Sequence, residues 1–121
     1  MKRILVVDDD RLMVEFISLC LERASYSVET AFNGVDGLAK AKSFKPDLLV
    51  LDLMMPDMHG FDVCEELRRE GGPAGLKILI SSGKSYEVDK KAAKRLGADG
   101  FITKPFTIEQ LMAAVDGLLA S

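Results

Sequence analysis

Short apolar runs alternate with longer amphipathic segments along the chain, and this alternation predicts five β–α units. The apolar runs fit strands at residues 3–7, 26–31, 48–51, 77–81 and 101–103. In the segments between and after them, apolar residues recur every three or four positions, which predicts helices at residues 12–24, 35–42, 60–69, 87–96 and 108–119. Strands that alternate with helices favour an α/β fold with a parallel sheet and helices on both of its faces.

Turn and capping residues mark the ends of several elements. Asn33 and Gly34 are typical of a hairpin turn, but the helical spacing that follows favours a turn that enters a helix. Gly97 suits the left-handed residue that ends a helix, and Thr107 with Gln110 has the spacing of a capping box. No internal repeat or linker is visible, so we interpret the chain as one domain over residues 1–121.

The apolar positions also predict which elements are buried. The run at residues 48–51 has no polar alternation, which is typical of a central strand covered on both faces. The first helix is expected to be well buried, because its apolar face is wide: Leu12, Met13, Phe16, Ile17, Leu19 and Leu21. The last helix has one apolar face, formed by Ile108, Leu111, Met112, Val115, Leu118 and Leu119.

Composition favours a soluble globular protein that binds neither nucleic acid nor membrane. Of the 121 residues, 48% are hydrophobic and 29% are charged, and the formal net charge of −3 disfavours binding to polyanions. The apolar stretch at residues 4–7 is too short for a signal peptide, and no stretch is long enough to span a bilayer. Cys20 and Cys64 lie far apart without a CxxC partner, so we expect two buried thiols in a reducing cytoplasm.

Charged and hydroxyl side chains fall where predicted strands end. Asp8 and Asp9 follow the first strand, Asp52 ends the third, Ser82 ends the fourth and Lys104 follows the fifth. Because the carboxyl ends of parallel strands meet at one edge of a sheet, these five side chains are expected to form a single pocket. Clustered carboxylates suit Mg²⁺, which prefers hard oxygen ligands. The pocket therefore predicts phosphoryl chemistry on a carboxylate.

Four short motifs contain these residues: VVDD at residues 6–9, LDLMMPD at 51–57 with Gly60, SG at 82–83 and KPF at 104–106. Together they resemble the receiver domain of two-component response regulators, and the resemblance covers essentially the whole chain. The number of residues from Asp52 to Ser82 and from Ser82 to Lys104 also matches the pattern of that family. It selects Ser82 over the adjacent Ser81, since only Ser82 is followed by a small residue, Gly83.

The resemblance implies a fold and a role for each site residue. The fold is the flavodoxin-like, doubly wound five-stranded parallel sheet in the order 2-1-3-4-5. Asp52 is implied as the phosphoryl acceptor. Asp9, Asp52 and the backbone carbonyl of Met54 are implied as Mg²⁺ ligands, with Asp8 acting largely through water. Lys104, before a cis proline peptide bond, and Ser82 are implied to contact the phosphoryl oxygens.

The same resemblance implies partners and a switch. A sensor histidine kinase or a histidine phosphotransfer protein is the expected donor, and the chain is expected to modify only itself rather than to act as an enzyme on other substrates. Phe101 occupies the aromatic switch position, and the responding face is expected to be helix 4, strand 5 and helix 5. Met54 and Lys84 are expected to border the path of the water that removes the phosphoryl group. Gly100 replaces a second acidic residue, so dimerisation through that face is not expected.

Several other interpretations of the acidic residues stay open. Asp8-x-Asp10 could be the motif of a phosphatase with Asp8 as nucleophile, or Asp10 could simply cap the first helix, which we favour. An unphosphorylated interaction module is a further alternative. A dinucleotide or flavin site is disfavoured, since no glycine-rich loop follows the first strand. His59 is given no role. The sequence is equally compatible with a stand-alone regulator and with the receiver of a longer protein whose output is unknown.

Overall fold

The computed structural model describes residues 1–69, 72–83 and 87–120. Five strands are present in this part of the chain: β1 (Arg3–Val7), β2 (Ser27–Ala31), β3 (Leu48–Asp52), β4 (Lys77–Ser82) and β5 (Gly100–Thr103). They alternate with five helices: α1 (Arg11–Arg23), α2 (Gly34–Phe44), α3 (Gly60–Arg69), α4 (Glu87–Arg95) and α5 (Ile108–Leu119). The predicted elements are confirmed, and their ends differ by one or two residues where they differ.

All strand pairs are parallel, and the sheet order is β2-β1-β3-β4-β5. The chain moves from β1 outward to β2 and then crosses back to β3 on the other side of β1. This reversal places a switch point beside the carboxyl ends of β1 and β3, where open α/β sheets bind their ligands. The predicted fold class and strand order are therefore confirmed.

The sheet separates two apolar clusters. Helices α2, α3 and α4 cover one face, and α1 and α5 cover the other. Every residue of β3 is buried, which explains why its sequence shows no polar alternation. Successive side chains of a strand point to opposite faces, so Leu49 and Leu51 enter the first cluster while Leu48 and Val50 enter the second.

The prediction that α1 is buried along its whole wide apolar face is wrong. The stripe that packs on the sheet is Val14, Ile17 and Leu21. A second apolar stripe faces solvent, and its members are Leu12, Phe16 and Leu19, which are 78%, 47% and 53% exposed. The reason is geometric, because a helix on a sheet buries one stripe and α1 has two. Val35 and Ile108 are exposed in the same way at the starts of α2 and α5.

Predicted helix ends are confirmed in detail. The Asp10 side chain accepts a hydrogen bond from the Met13 N–H at 3.2 Å, as expected of a cap on α1. Thr107 and Gln110 form the predicted reciprocal capping box on α5. Gly97 has a φ of +104°, the left-handed conformation expected after α4.

The two cysteines are both free thiols, but only one of them is buried as expected. The Cys64 thiol lies in the core and donates a hydrogen bond to the Leu96 carbonyl at 3.3 Å, and burial raises its pKa. Cys20 is only half-buried on α1. Among the described residues, none of the helices combines the length and the apolar character that crossing a bilayer requires.

Candidate functional site

The carboxyl edge of the sheet brings the predicted site residues together. Asp8 follows β1 and is 3% exposed, and Asp52 ends β3 and is 6% exposed. Ser82, at the end of β4, is also buried, while Lys104 follows β5 and is partly exposed. The order of the strands places Asp52 between the other contributors, so it lies at the centre of the pocket.

Lys104 connects the two buried carboxylates. Its Nζ lies 2.7 Å from Asp8 Oδ2 and 3.2 Å from Asp52 Oδ1, and it donates a hydrogen bond to each. The peptide bond from Lys104 to Pro105 is cis, as the family resemblance implies. One ammonium group thus serves two carboxylates, which leaves the pocket with excess negative charge.

A third carboxylate completes the cluster at its exposed side. Oxygens of Asp8, Asp9 and Asp52 all lie within 4.8 Å of one another, and Asp9 is exposed to solvent. Among the described residues, three hard oxygen donors face the one ammonium group of Lys104, and this donor set fits the chemistry of Mg²⁺. Met54 lies in the loop that follows β3, but the geometry does not test whether its backbone carbonyl is a ligand.

The electrostatics of Asp52 and Lys104 reflect this imbalance. Burial raises the pKa of the Asp52 carboxyl, the neighbouring Asp8 charge raises it further, and Lys104 offsets only part of the rise. For Lys104, burial alone lowers the pKa, but the hydrogen bond to Asp8 and the charge of Asp52 outweigh burial, so the pKa is raised. Asp52 is therefore a carboxylate whose ionised form would gain from a further cation.

The adjacent serines at the end of β4 lie in different environments. Ser81 pairs with Asp52 across the sheet, whereas Ser82 pairs with Thr103, and the Lys104 N–H donates to the Ser82 carbonyl at 2.7 Å. Both serines are buried, and the Ser81 hydroxyl has no hydrogen-bond partner among the described residues. Because neighbouring side chains point to opposite faces, only one of the two can serve the pocket in the predicted way. The role of Ser82 stays a prediction.

Phe101 lies on β5, two strands away from β3, which ends at Asp52. It is half-buried and packs against the apolar cluster under α4. A groove of about 420 Å³ runs beside it between α4 and β5, with Lys90 and Lys94 on its rim. The aromatic side chain therefore has space next to it, while Lys84 lies outside the described residues.

Sequence reasoning missed two polar residues in the loop between β3 and α3. The Asp57 carboxylate accepts hydrogen bonds from the backbone N–H groups of Gly34 and Val35, both at 3.0 Å. His59 Nδ1 accepts one from the Phe61 N–H at 3.0 Å and so caps α3. The His59 contact is local and its spacing could have suggested a cap. The partners of Asp57 are more than 20 residues away, and no local pattern indicates them.

Known proteins with the same sequence pattern are response regulators. The family model of the response regulator receiver domain matches residues 4–116. The DNA-binding dual master transcriptional regulator RpaA of Synechocystis is 41% identical over 119 residues, and the alkaline phosphatase synthesis transcriptional regulatory protein PhoP of Bacillus subtilis is 42% identical over 118 residues. Each alignment covers 98% of this chain but 49% and 48% of the relative, so the chain spans about half the length of these relatives.

Solved structures agree with this assignment. The chemotaxis protein CheY4 of Vibrio cholerae superposes with a TM-score of 0.92 at 32% identity, covering 98% of both chains. The BeF3-activated receiver domain of DrrB superposes with a TM-score of 0.89 at 29% identity, covering 100% of this chain and 99% of that one. With the acidic pocket, the strand order and the family match in agreement, the chain belongs to the response regulator receiver domain family of two-component signalling.

Proposed function

We propose that the chain is a phospho-accepting signalling switch in which Asp52 receives a phosphoryl group from a phosphohistidine. The observation that carries this proposal is the position of Asp52, buried between Asp8 and Lys104 in a cluster of three carboxylates. Such a carboxylate is an anionic nucleophile that needs charge neutralisation more than it needs a base. The chain changes only its own state and is not proposed to turn over other substrates.

The transfer exchanges one bond to phosphorus for another. An Asp52 oxygen bonds to phosphorus while the bond from phosphorus to the donor's imidazole nitrogen breaks. The imidazole leaves with the bonding electron pair and takes a proton from water, and Asp52 becomes an acyl phosphate. Lys104 then pairs with the phosphoryl oxygens, and the Ser82 hydroxyl donates a hydrogen bond to one of them.

Asp9, Asp52 and the Met54 backbone carbonyl are proposed to hold Mg²⁺, with Asp8 contributing through water. When bound, Mg²⁺ neutralises negative charge on the carboxylates and on the transferring phosphoryl group. Lys104 contributes the second positive charge, and its two hydrogen bonds to Asp8 and Asp52 keep the ammonium directed into the pocket.

Acetyl phosphate labelling tests the proposal directly. Incubation of the protein with acetyl phosphate and Mg²⁺ is expected to add one phosphoryl group through an acid-stable, base-labile bond, with peptide mapping placing it on Asp52. Removal of Mg²⁺ with EDTA is expected to slow labelling by at least about tenfold, because Lys104 is then the one cation that the described residues bring into the pocket. An unlabelled protein at saturating Mg²⁺ would favour the alternative of an unphosphorylated interaction module.

Phosphorylation is proposed to change the face formed by α4, β5 and α5. Movement of Ser82 toward a modified Asp52 would open space near Phe101, which has no hydroxyl and so can gate the groove beside α4 only by its bulk. Two relatives of about twice this length are named as transcriptional regulators. The output domain or target protein of this chain is not specified by them. We place the protein in the cytoplasm, where histidine kinases transfer their phosphoryl groups.

The exposed stripe of α1 is proposed to bind the phosphodonor. Helix α1 begins at Arg11, two positions after Asp9, so Leu12 lies in its first turn at the acidic end of the helix and Phe16 one turn further along. Ile108, also exposed, begins α5 four positions after Lys104 on the other flank. Apolar groups on both flanks of an acidic pocket suit a helical donor domain that must bring its phosphohistidine to Asp52.

Replacement of Phe16 by serine is expected to slow transfer from a protein donor about tenfold, since it removes a central apolar contact. Labelling by acetyl phosphate is expected to stay at the wild-type rate. The donor would be the histidine kinase that phosphorylates the wild type fastest in a purified panel. Val88→Ser provides the control, because Val88 is equally apolar and 71% exposed but lies on α4. Equal slowing by both variants, or slowing with acetyl phosphate as well, would contradict the assignment.

The remaining alternative, a phosphatase that uses Asp8 as nucleophile, lacks its acid. That chemistry needs Asp10 in the pocket as the acid/base, whereas the Asp10 carboxylate is exposed and caps α1 through the Met13 N–H. The Lys104 ammonium also makes its shorter ion-pair contact with Asp8 rather than with Asp52. We therefore retain Asp52 as the reacting carboxylate.

A further inference from the structure

Asp57 joins the loop after β3 to the start of α2. Its Oδ1 accepts a hydrogen bond from the Gly34 N–H and its Oδ2 accepts one from the Val35 N–H, both at 3.0 Å. These bonds lower the pKa of the Asp57 carboxyl, with the bond from Gly34 as the largest cause. A single exposed carboxylate thus connects segments that are 23 and 22 positions apart.

Helix α2 already begins with a cap of its own. The Asn33 side chain accepts a hydrogen bond from the Asp36 N–H at 2.8 Å, and the Asn33 carbonyl accepts one from the Gly37 N–H at 3.0 Å. Asp57 is therefore a second cap, supplied from a distant loop. Since the helix end is already ordered locally, the main effect of the two additional bonds is on the loop that carries Asp57.

The same loop is held at three other points, one of which is Met55, whose buried side chain packs into the apolar cluster on the α2, α3 and α4 side of the sheet. Near its end, the Gly60 N–H donates to the Leu53 carbonyl at 2.8 Å, and a Cβ on Gly60 would lie 2.5 Å from the Asp52 carbonyl oxygen. Next to Asp57, Met58 packs against α2 so closely that a Cβ on Gly34 would lie 2.6 Å from the Met58 Cβ. Only residues 54–56 lie between the closed base of the loop and its attachment to α2.

We propose that Asp57 is a positioning residue for cation binding, because it fixes the loop that carries the Met54 backbone carbonyl. The inference rests on the proposed function, in which that carbonyl is a metal ligand. Side-chain ligands can adjust by rotation, and Asp8 and Asp52 are in addition held by Lys104. A main-chain carbonyl has no such freedom, so its position depends on how the loop is anchored.

Comparison of Asp57→Asn with Asp62→Asn tests this role. An asparagine at position 57 keeps one oxygen but replaces the other with an N–H₂ group, which cannot accept the second hydrogen bond. Asp62 is an exposed acid in the first turn of α3, at the other end of the loop, and its side chain makes no hydrogen bond in the described part of the chain. Both variants remove one negative charge, and only the first removes the anchor.

Mg²⁺ titration by NMR or calorimetry is expected to show about tenfold weaker binding for Asp57→Asn and little change for Asp62→Asn. Amide exchange is expected to accelerate at residues 54–58 but not in β3 or β4. The labelling rate of Asp62→Asn with acetyl phosphate at saturating Mg²⁺ is expected to stay close to wild type, since neither Asp52 nor the anchor of the loop is altered.

Equal Mg²⁺ affinity in the wild type and Asp57→Asn, or an equal loss in both variants, would overturn the positioning role. These results concern metal binding alone. Failure of the wild type to label on Asp52 would instead refute the proposed phosphoryl transfer, so the two ideas fail by different measurements.

Discussion

Asp52→Asn is expected to abolish acetyl phosphate labelling and, in the same protein, to raise the melting temperature. Loss of the proposed nucleophile should reduce labelling by at least about a thousandfold, because Asp8 and Asp9 do not take over the central position. Asp10→Asn is the matched control, since asparagine is as good a helix cap as aspartate. It is expected to label like the wild type. Labelling that persists in Asp52→Asn but is lost in Asp8→Asn would support the phosphatase alternative.

The gain in stability follows from the raised pKa of Asp52. A carboxyl whose pKa is higher in the folded state binds its proton more tightly there, so its ionisation works against folding. The unfavourable effect begins as the pH rises past the ordinary aspartate pKa of about 3.9 and is complete above the folded-state pKa. Asparagine removes it, while Lys104 keeps its closer partner, Asp8, at 2.7 Å.

Thermal unfolding in EDTA measures this effect. At pH 7, Asp52→Asn is expected to be more stable than the wild type by about 1 kcal/mol, or a few degrees in melting temperature. The difference should shrink as the pH is lowered toward 4. Asp9→Asn removes the same charge from an exposed position and is expected to give a smaller gain. A lower melting temperature for Asp52→Asn at pH 7 would show that its pair with Lys104 is worth more than its burial costs.

The fold and the pocket were predictable because local signals agree with one another. The uninterrupted run at residues 48–51 is typical of a strand covered on both faces, and parallel strands bring their carboxyl ends to one edge. Ser82 was preferred to Ser81 because of its spacing to Lys104 and the small residue Gly83 after it; the sheet places the two serines on opposite faces, and the role of Ser82 stays a prediction. Those inferences depend on sequence spacing, which the backbone geometry of helices and strands translates directly into position.

What could not be predicted depends on contacts between distant segments. Helix α1 has two apolar stripes, and periodicity gives no reason to choose Val14 rather than Phe16 for the sheet. That choice is made by how α1 packs on the face of the sheet that it shares with α5. In the same way, nothing near Asp57 in the sequence indicates that its partners lie at the start of α2. The local sequence around Pro56 and Asp57 is typical of an ordinary turn.

Lys104→Met is expected to destabilise the protein and to prevent phosphorylation from changing the face formed by α4, β5 and α5. Without the ammonium, Asp8 and Asp52 face each other uncompensated in a buried pocket, and the free energy of unfolding in EDTA should fall by roughly 3 kcal/mol. Mg²⁺ should recover most of the loss and bind more tightly than in the wild type, because no ammonium competes for the carboxylates. Lys91→Met, on the exposed surface of α4, is the control and should change neither property.

The response of α4, β5 and α5 should be lost in Lys104→Met because Lys104 links the pocket to β5. Lys104 lies three residues after Phe101. Its side chain donates a hydrogen bond to Asp52, and its backbone N–H donates one to the Ser82 carbonyl at 2.7 Å. Beryllofluoride with Mg²⁺ should shift the amide resonances of Phe101 and α4 in the wild type and in Lys91→Met. In Lys104→Met the shifts should stay near Asp52. A full wild-type response of these resonances in Lys104→Met would show that the signal reaches β5 through Ser82 alone. Weaker Mg²⁺ binding by Lys104→Met would show that the ammonium supports the metal site rather than competing with it.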